Sequence, residues 1–279
     1  MSEEVLVVIG VGGMGEAIAR RVGTGRHLLL ADFNEQLLAR VSEGLDGDGY
    51  SVTTHKVDVS SRASVAELAR TAIGLGEVRC LAHTAGLSPV QASIEAILKV
   101  DLAGVAFSLE EFGRVVAPGG AGVVVASMAG TMAQGQFPAE MEAALANTPA
   151  DQLLSLPFLS PSAIPNPGAA YGIAKRANQL RVQAASLAWG SRGARVNSIS
   201  PGIISTPMGR QELSGSSGAY MRAMIDGSAT GRLGTPGDIA NLVAFLVGPD
   251  SSFITGTDVL VDGGVVAGIR SGAISLPTA

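Results

Sequence analysis

The run Val5-Leu6-Val7-Val8-Ile9 leads straight into Gly10-Val11-Gly12-Gly13-Met14-Gly15, and no other feature constrains the fold as tightly. Five consecutive apolar residues read as a buried strand, the glycines allow a sharp reversal, and Ile18, Ala19 and Val22 follow at helical spacing. A strand, a tight turn and a helix in that order need another parallel strand to cover the helix.

The rest of the chain supplies such strands. Residues 28–31 form a second run ending at Asp32, followed by a helical stretch with Leu37, Leu38 and Val41. The pattern returns as a strand over 52–57 with a helix over 65–73, then a strand over 78–82, a long helix over 94–116 and a strand over 122–126. A helix over 171–189, a strand over 195–198, a helix over 239–247 and a strand over 258–261 complete it. Strands that are apolar nearly throughout and separated by helix-length segments belong in a parallel sheet covered on both faces. The expected fold is therefore α/β, a three-layer doubly wound parallel sheet, Rossmann-like, with about seven strands. A chain of 279 residues fits one such domain.

With 19 basic and 24 acidic residues the net charge is -5, and no basic cluster is long enough to track a phosphate backbone, so nucleic acid is not an expected partner. Gly, Pro or charge interrupts every apolar stretch short of spanning length, so no membrane span is expected. The first residues lack the basic flank of a secretory signal, which points to the cytoplasm. Cys80, the single cysteine, falls in an apolar run and reads as a small buried side chain. His27, His55 and His83 lack ligand spacing and read as strand-associated residues, so no metal is expected.

Gly10, Gly12 and Gly15 give a G-x-G-x-x-G pattern between strand and helix, which lets the backbone approach a pyrophosphate at a helix N-terminus. Asp32 closes the second strand 22 positions after Gly10 (32 - 10 = 22), the spacing that places a carboxylate on ribose hydroxyls. A 2′-phosphate there would meet like charge, and Phe33 stands where an arginine would be needed, so NAD is expected over NADP. The alternative for Asp32 is a helix-capping acid ahead of Asn34. Asp58 and Gly86 lie where strands present their carboxyl ends to ligands, although Asp58 could equally cap the next helix and Gly86 could simply serve a turn.

Tyr171 and Lys175 are four residues apart on one helix face. A nearby ammonium stabilises phenolate, so this pair can take or give an alcohol proton, and Ser127 at a strand end can donate a hydrogen bond to the substrate oxygen. Alone, Y-x-x-x-K is equally a helix-surface pair.

Together these features resemble the short-chain dehydrogenase/reductase family over residues 5–264. The nucleotide fingerprint resembles Gly10, Gly12, Gly13, Met14 and Gly15. The adenine-side pair resembles Asp58-Val59, and the Asn-Ala-Gly element resembles Thr84-Ala85-Gly86. The resemblance implies a catalytic Ser127, Tyr171 and Lys175, with Tyr171 and Lys175 also contacting the cofactor and Lys175 holding the nicotinamide ribose. Pro201, Gly202 and Ile204 would lie beside the nicotinamide, with Thr206 bonding its carboxamide. The closing matches are the stretch from Gly231 to Ala240 and the segments Ile254-Thr255-Gly256 and Asp262-Gly263-Gly264.

Three departures stand out. The glycine loop is one residue short, with Ile9 in the place of a threonine. Asp101 occupies the place of an asparagine that helps hold a water linking the lysine to solvent, and its charge would favour ammonium Lys175 and move the pH optimum upward. Ser127 and Tyr171 stand 44 positions apart (171 - 127 = 44), much further than is usual in the family. In the resulting segment, 131–170, short helices are expected up to Leu159 and an ordered loop without regular structure from Ser160 to Gly168. Its Met132, Phe137, Met141, Leu145, Leu153, Leu154, Leu156, Phe158 and Leu159 could line an apolar cavity for a bulky lipophilic alcohol or ketone such as a steroid or terpenoid. They could equally pack on the body of the domain or on a partner subunit. Residues 206–233 would form a substrate loop, its glycines permitting closure, or an exposed loop with no gating role.

The resulting expectation is a single NAD-binding catalytic domain over 1–279, a homo-oligomer (tetramer or dimer), that interconverts a secondary alcohol and a ketone. Competing readings are a 3-oxoacyl reductase and a nucleotide-binding scaffold that has lost turnover.

Overall fold

The computed structural model describes residues 3–215 and 218–275. Seven strands, β1 (Glu4–Ile9), β2 (His27–Asp32), β3 (Ser51–Lys56), β4 (Glu77–His83), β5 (Ala121–Val125), β6 (Arg195–Pro201) and β7 (Asp258–Val261), form one sheet in the order β3-β2-β1-β4-β5-β6-β7. Every pairing is parallel. The strand order reverses between β1 and β4, and a doubly wound sheet opens its ligand crevice at that point.

Two apolar layers hold the helices against the sheet. On one face Val5, Val7 and Ile9 pack with Leu68, Leu102, Phe112, Ala174 and Ala177. On the other Leu6 and Val8 pack with Ile18, Val41, Ile239 and Val243. This is the two-sided burial that the continuous apolar runs of β1 and β2 require. The edge strand β3 departs from it: Ser51, His55 and Lys56 are partly or fully exposed, because only one neighbour covers this strand.

The helix expected over 94–116 is present but not uniform. An α-turn Ile94–Ile97 passes into a π-helical turn, Leu98–Ala103, before α-geometry resumes over Gly104–Val115. Such turns widen the backbone spiral and are frequent at functional positions, and this one contains Asp101.

Segment 131–170 holds the helices Ala139–Asn147 and Ala150–Leu153 and the 3-10 turns Pro157–Leu159 and Pro161–Ala163. The long helix Pro167–Gly190 then starts on an Asn166 cap, whose Oδ1 accepts from the Ala169 N–H. The stretch expected to lack regular structure from Ser160 to Gly168 therefore contains a turn of 3-10 helix and the first residues of this helix. Pro167 fixes a backbone angle suited to a helix start, so the proline that suggested a loop instead marks a boundary.

Most apolar side chains of this segment settle on the body of the domain, while Leu154 is exposed and Met132 packs in a separate small cluster. Leu145, Leu153 and Leu159 are fully buried in the first core layer, and Phe137, Met141, Leu156 and Phe158 pack against it. Polar clamps reinforce the contact. The Arg181 guanidinium donates to the carbonyls of Leu145 and Thr148, Glu110 accepts from the Ala150 N–H, and Arg176 pairs with Glu142 at 2.8 Å. The cavity-lining reading of these residues is thus replaced by a packing one.

Candidate active site

The glycine loop is shaped by contacts that only glycine permits. Gly10 has φ +87°, and a Cβ there would lie 2.5 Å from the Ala85 nitrogen; a Cβ on Gly15 would lie 1.9 Å from the Gly10 carbonyl oxygen. Gly12 faces open space, with nothing within 4 Å of a Cβ position, and no side chain caps the helix Gly13–Val22 that starts beside it. Its first N–H groups face the crevice without a capping side chain, the arrangement that suits a phosphate.

That crevice is a cavity of about 760 Å³. Gly10, Gly12, Gly13, Met14, Asp32 and Phe33 form one side, and Asp58, Val59, Thr84, Ala85, Gly86 and Thr206 line the remainder. Asp32 Oδ2 accepts from the Val11 N–H at 2.9 Å and Oδ1 from the Asn34 N–H at 2.9 Å, so it braces the loop while lining the cavity. Asn34, not Asp32, caps the following helix. Asp58 Oδ1 accepts from the backbone and hydroxyl of Ser60, and Ser61 caps the next helix, so Asp58 has no capping role. Thr84 donates to the Gly10 carbonyl, tying β4 to the loop.

Other positions fall outside this lining. Gly15 packs on Gly10, Pro201 ends β6, and Gly202 donates to the Val261 carbonyl at 2.9 Å. The Ile204 side chain is buried in the second core layer, so only its backbone can meet a ligand. Thr206 caps the helix Pro207–Ser214. Residues 206–233 are mostly helical, with a second helix over Gly218–Asp226, because a Pro207 start and the Met221 and Met224 face favour helices over an open loop. Within the glycine- and serine-rich stretch, Ser216 and Ser217 lie outside the described residues. Arg40 on the cavity rim was not legible in the sequence, since it sits a full helical turn beyond any motif.

Lys175 is almost wholly buried and is not part of the cavity lining, but its Nζ would lie 3.3 Å from a Cβ on the cavity-lining Gly86. Its Nζ lies 5.3 Å from the Tyr171 ring centre, 3.4 Å from the Val125 carbonyl oxygen and 4.0 Å from Asp101 Oδ2. Asp101 is fully enclosed: Oδ1 accepts from the Leu87 N–H at 2.7 Å, whereas Oδ2 makes no hydrogen bond. Burial pushes this carboxyl up to about 6, although Lys175 and the Leu87 N–H act in the opposite direction.

Ser127 follows β5 and caps the helix Met128–Met132, accepting from the Ala129 N–H at 3.2 Å. Gly130 lets this helix approach: a Cβ there would lie 2.7 Å from the Lys175 backbone. The approach brings Ser127 within hydrogen-bonding reach of the Tyr171 hydroxyl, which lowers the phenol's pKa. Ser127, Tyr171, Lys175 and Asp101 are thus brought together. The phenol itself departs from expectation. Burial, with Asp101 and Glu212, raises its pKa above the ordinary value, and Lys175 and Ser127 only partly offset them.

The buried charge beside Lys175 should govern pH dependence. Above a pH of about 6 Asp101 is ionised and opposes phenolate at Tyr171. Asp101→Asn removes that charge, so the rise of kcat/KM for alcohol oxidation with pH shifts to lower pH. Its folded-state pKa lies above the unfolded value, so the stability it confers is full below about 3.8 and is lost as pH rises through about 6. Asp101→Asn should therefore also flatten the dependence of Tm on pH in that window. Unchanged profiles of both kinds would contradict this charge assignment.

Cys80 is buried, and its thiol is pushed up to about 11, which suits a packing role. His27, His55 and His83 all lie on strands, and among the described residues no group of three or more His, Cys, Asp or Glu could hold a metal ion. Among those residues no helix is long and apolar enough to cross a membrane.

Comparison with known proteins agrees with this architecture. Residues 3–139 match the family model described as short chain dehydrogenase, and residues 152–266 match one described as Enoyl-(Acyl carrier protein) reductase. The chain is 45% identical over 268 residues to the short-chain dehydrogenase/reductase bsc3 of Alternaria brassicicola, covering 96% of this chain and 97% of that protein. It is 27% identical over 274 residues to galactitol 2-dehydrogenase (L-tagatose-forming) of Cereibacter sphaeroides, covering 92% of each. Among solved structures, a short-chain dehydrogenase/reductase of Brucella melitensis, titled glucose/ribitol dehydrogenase, superimposes with a TM-score of 0.73 at 26% identity, over 94% of this chain and 96% of that one. The fold and the crevice define a nucleotide-binding oxidoreductase. The chain belongs to the short-chain dehydrogenase/reductase family.

Proposed function

We propose that this protein interconverts a secondary alcohol and a ketone with NAD as cofactor and Tyr171 as the acid/base. The observation that carries this reading is the meeting of Tyr171, Lys175 and Ser127, with Lys175 Nζ 3.3 Å from a Cβ position on Gly86, which lines the cavity with the glycine loop. A bound nicotinamide would supply the hydride donor or acceptor. Ser127 donates to the substrate oxygen, Tyr171 exchanges the alcohol proton, and Lys175 holds a positive charge next to the phenol. In this reading Lys175 also bonds the nucleotide ribose, with Asp32 on the adenosine ribose and the backbone from Pro201 to Thr206 beside the nicotinamide.

An apolar scaffold on the substrate, as in a steroid or terpenoid, belongs to this reading as its finer part. A homo-oligomer, dimer or tetramer, belongs to the same reading, and the exposed Phe245, Phe253 and Leu260 near the last strand supply apolar surface for it.

Asp32 favours NAD because its carboxylate can accept from ribose hydroxyls and repels a 2′-phosphate. NADH should bind at least about tenfold tighter than NADPH, and Asp32→Ser should narrow the gap by removing the like charge a 2′-phosphate would meet, with Arg40 also lining the cavity. Titration by intrinsic fluorescence or calorimetry checks this. Equal dissociation constants in the parent protein would contradict it.

A further inference from the structure

Segment 131–170 is joined to the helix that bears Tyr171 and Lys175 by a chain of polar contacts as well as by its apolar packing. Glu142, on the helix Ala139–Asn147, accepts from Arg176 Nε at 2.8 Å. Arg176 directly follows Lys175 on the helix Pro167–Gly190 and is buried, and its Nη1 donates to Gln179 Oε1 at 3.1 Å. The Gln179 amide nitrogen faces three acceptors: Thr131 Oγ1 at 3.1 Å, Ser200 Oγ at 2.9 Å and Asp258 Oδ2 at 3.2 Å. With a guanidinium on its oxygen and oxygens around its nitrogen, this buried amide is held in one orientation.

Thr131 lies on the helix Met128–Met132, whose N-cap is Ser127. Five residues make little more than one turn, too short to hold a helix by itself, so contacts from outside set its position. Those contacts are the Gln179 amide on the Thr131 hydroxyl, the Lys175 and Arg176 backbone against Gly130, and Arg270, which donates to the Thr131 carbonyl at 2.9 Å. The amide is in turn held by Arg176, and a guanidinium withdrawn from water needs a counter-charge, which Glu142 supplies. Arg176 also favours the ionised form of Asp258 against the burial that opposes it, and Asp258 anchors Ser198 and Ser200 of β6.

We propose, building on the alcohol–ketone reading above, that Glu142 is a positioning residue for Ser127. Through Arg176, Gln179 and Thr131 it fixes the turn that carries the serine, so that the hydroxyl stays in register with Tyr171. Segment 131–170 then serves the reaction from behind the site, by holding the group that meets the substrate oxygen.

The test is a double-mutant cycle with cyclohexanol and NAD. Glu142→Ala should lower kcat by about tenfold, the effect of a small displacement of a reacting group. The NADH dissociation constant, read by fluorescence, should stay within about twofold, since a contact remote from the crevice adds nothing to nucleotide binding. Ser127→Ala alone should lower kcat by about 10²-fold. In that background Glu142→Ala should change kcat by less than about twofold, because the group it positions is gone. Thr131→Val breaks the last link and leaves the buried ion pair intact, so it should fold even if Glu142→Ala does not, and it should show the same dependence on Ser127. A loss of the same size with and without Ser127 would mean general loosening of the domain and overturn the proposal, as would an unchanged kcat in these variants. A Ser127→Ala enzyme as active as the parent, or no turnover of cyclohexanol by the parent with NAD or NADP, would instead overturn the alcohol–ketone reading itself, and this proposal with it.

Discussion

Replacing Tyr171 by Phe lowers kcat for alcohol oxidation by about 10²–10⁴-fold, the range over which a positioned acid/base acts. The phenylalanine keeps the ring that packs against the first core layer and removes only the hydroxyl. Nucleotide affinity should stay within about threefold, because the phenol makes few of the contacts that hold a dinucleotide. Steady-state kinetics with a fluorescence titration of NADH separate the two effects. Undiminished turnover would reject Tyr171 as the acid/base. A parallel loss of nucleotide binding would show instead that the hydroxyl shapes the cavity.

Leu153→Ala destabilises the folded protein by about 2–5 kcal/mol, as expected for truncating a fully buried leucine. Its neighbour in sequence, Leu154, is 36% exposed, and the same substitution there should cost less than about 0.5 kcal/mol. The contrast arises because Leu153 reaches the layer that also holds Leu102, Phe112 and Ala177, whereas Leu154 points outward. Denaturant unfolding of both variants checks this. Equal, small effects would mean that segment 131–170 opens from the domain in solution, and its apolar residues would again become candidates for lining a substrate cavity.

Where periodicity was strong, the sequence reading and the structure agree. The β1 run, the glycine turn and the helix Gly13–Val22 follow from local residue types, and the crossover rule fixes the hand of each connection but not the strand order. Edge position is a tertiary property, so the reading of 52–57 as a strand did not say that β3 would lie at the sheet edge. The π-helical turn at Leu98–Ala103, within which Asp101 meets the loop of Gly86 and Leu87, leaves no compositional trace. Apolar residues of segment 131–170 suit either a cavity wall or a core, and composition does not distinguish them. Their partners Glu110 and Arg181 lie on distant helices.

Site residues were legible as a set of types but not as an electrostatic system. The pairing of Tyr171 with Lys175 four positions on says that an ammonium lowers the phenol's pKa, which is correct for that one interaction. Desolvation and two carboxylates, one of them on a helix 41 positions later (212 - 171 = 41), reverse the net direction. Gly130 was likewise visible only as part of a stretch of sequence. Its role, letting Ser127 close on Tyr171 by backbone contact with Lys175, depends on a packing distance.

The most direct measurement is a crystal structure of the ternary complex with NADH and an unreactive substrate analogue. The nucleotide should lie along the glycine loop from Asp32 to Thr206, with the Tyr171 and Ser127 hydroxyls both within about 3.2 Å of the analogue's oxygen. A dinucleotide seated in the crevice with that oxygen out of reach of both hydroxyls would contradict the account.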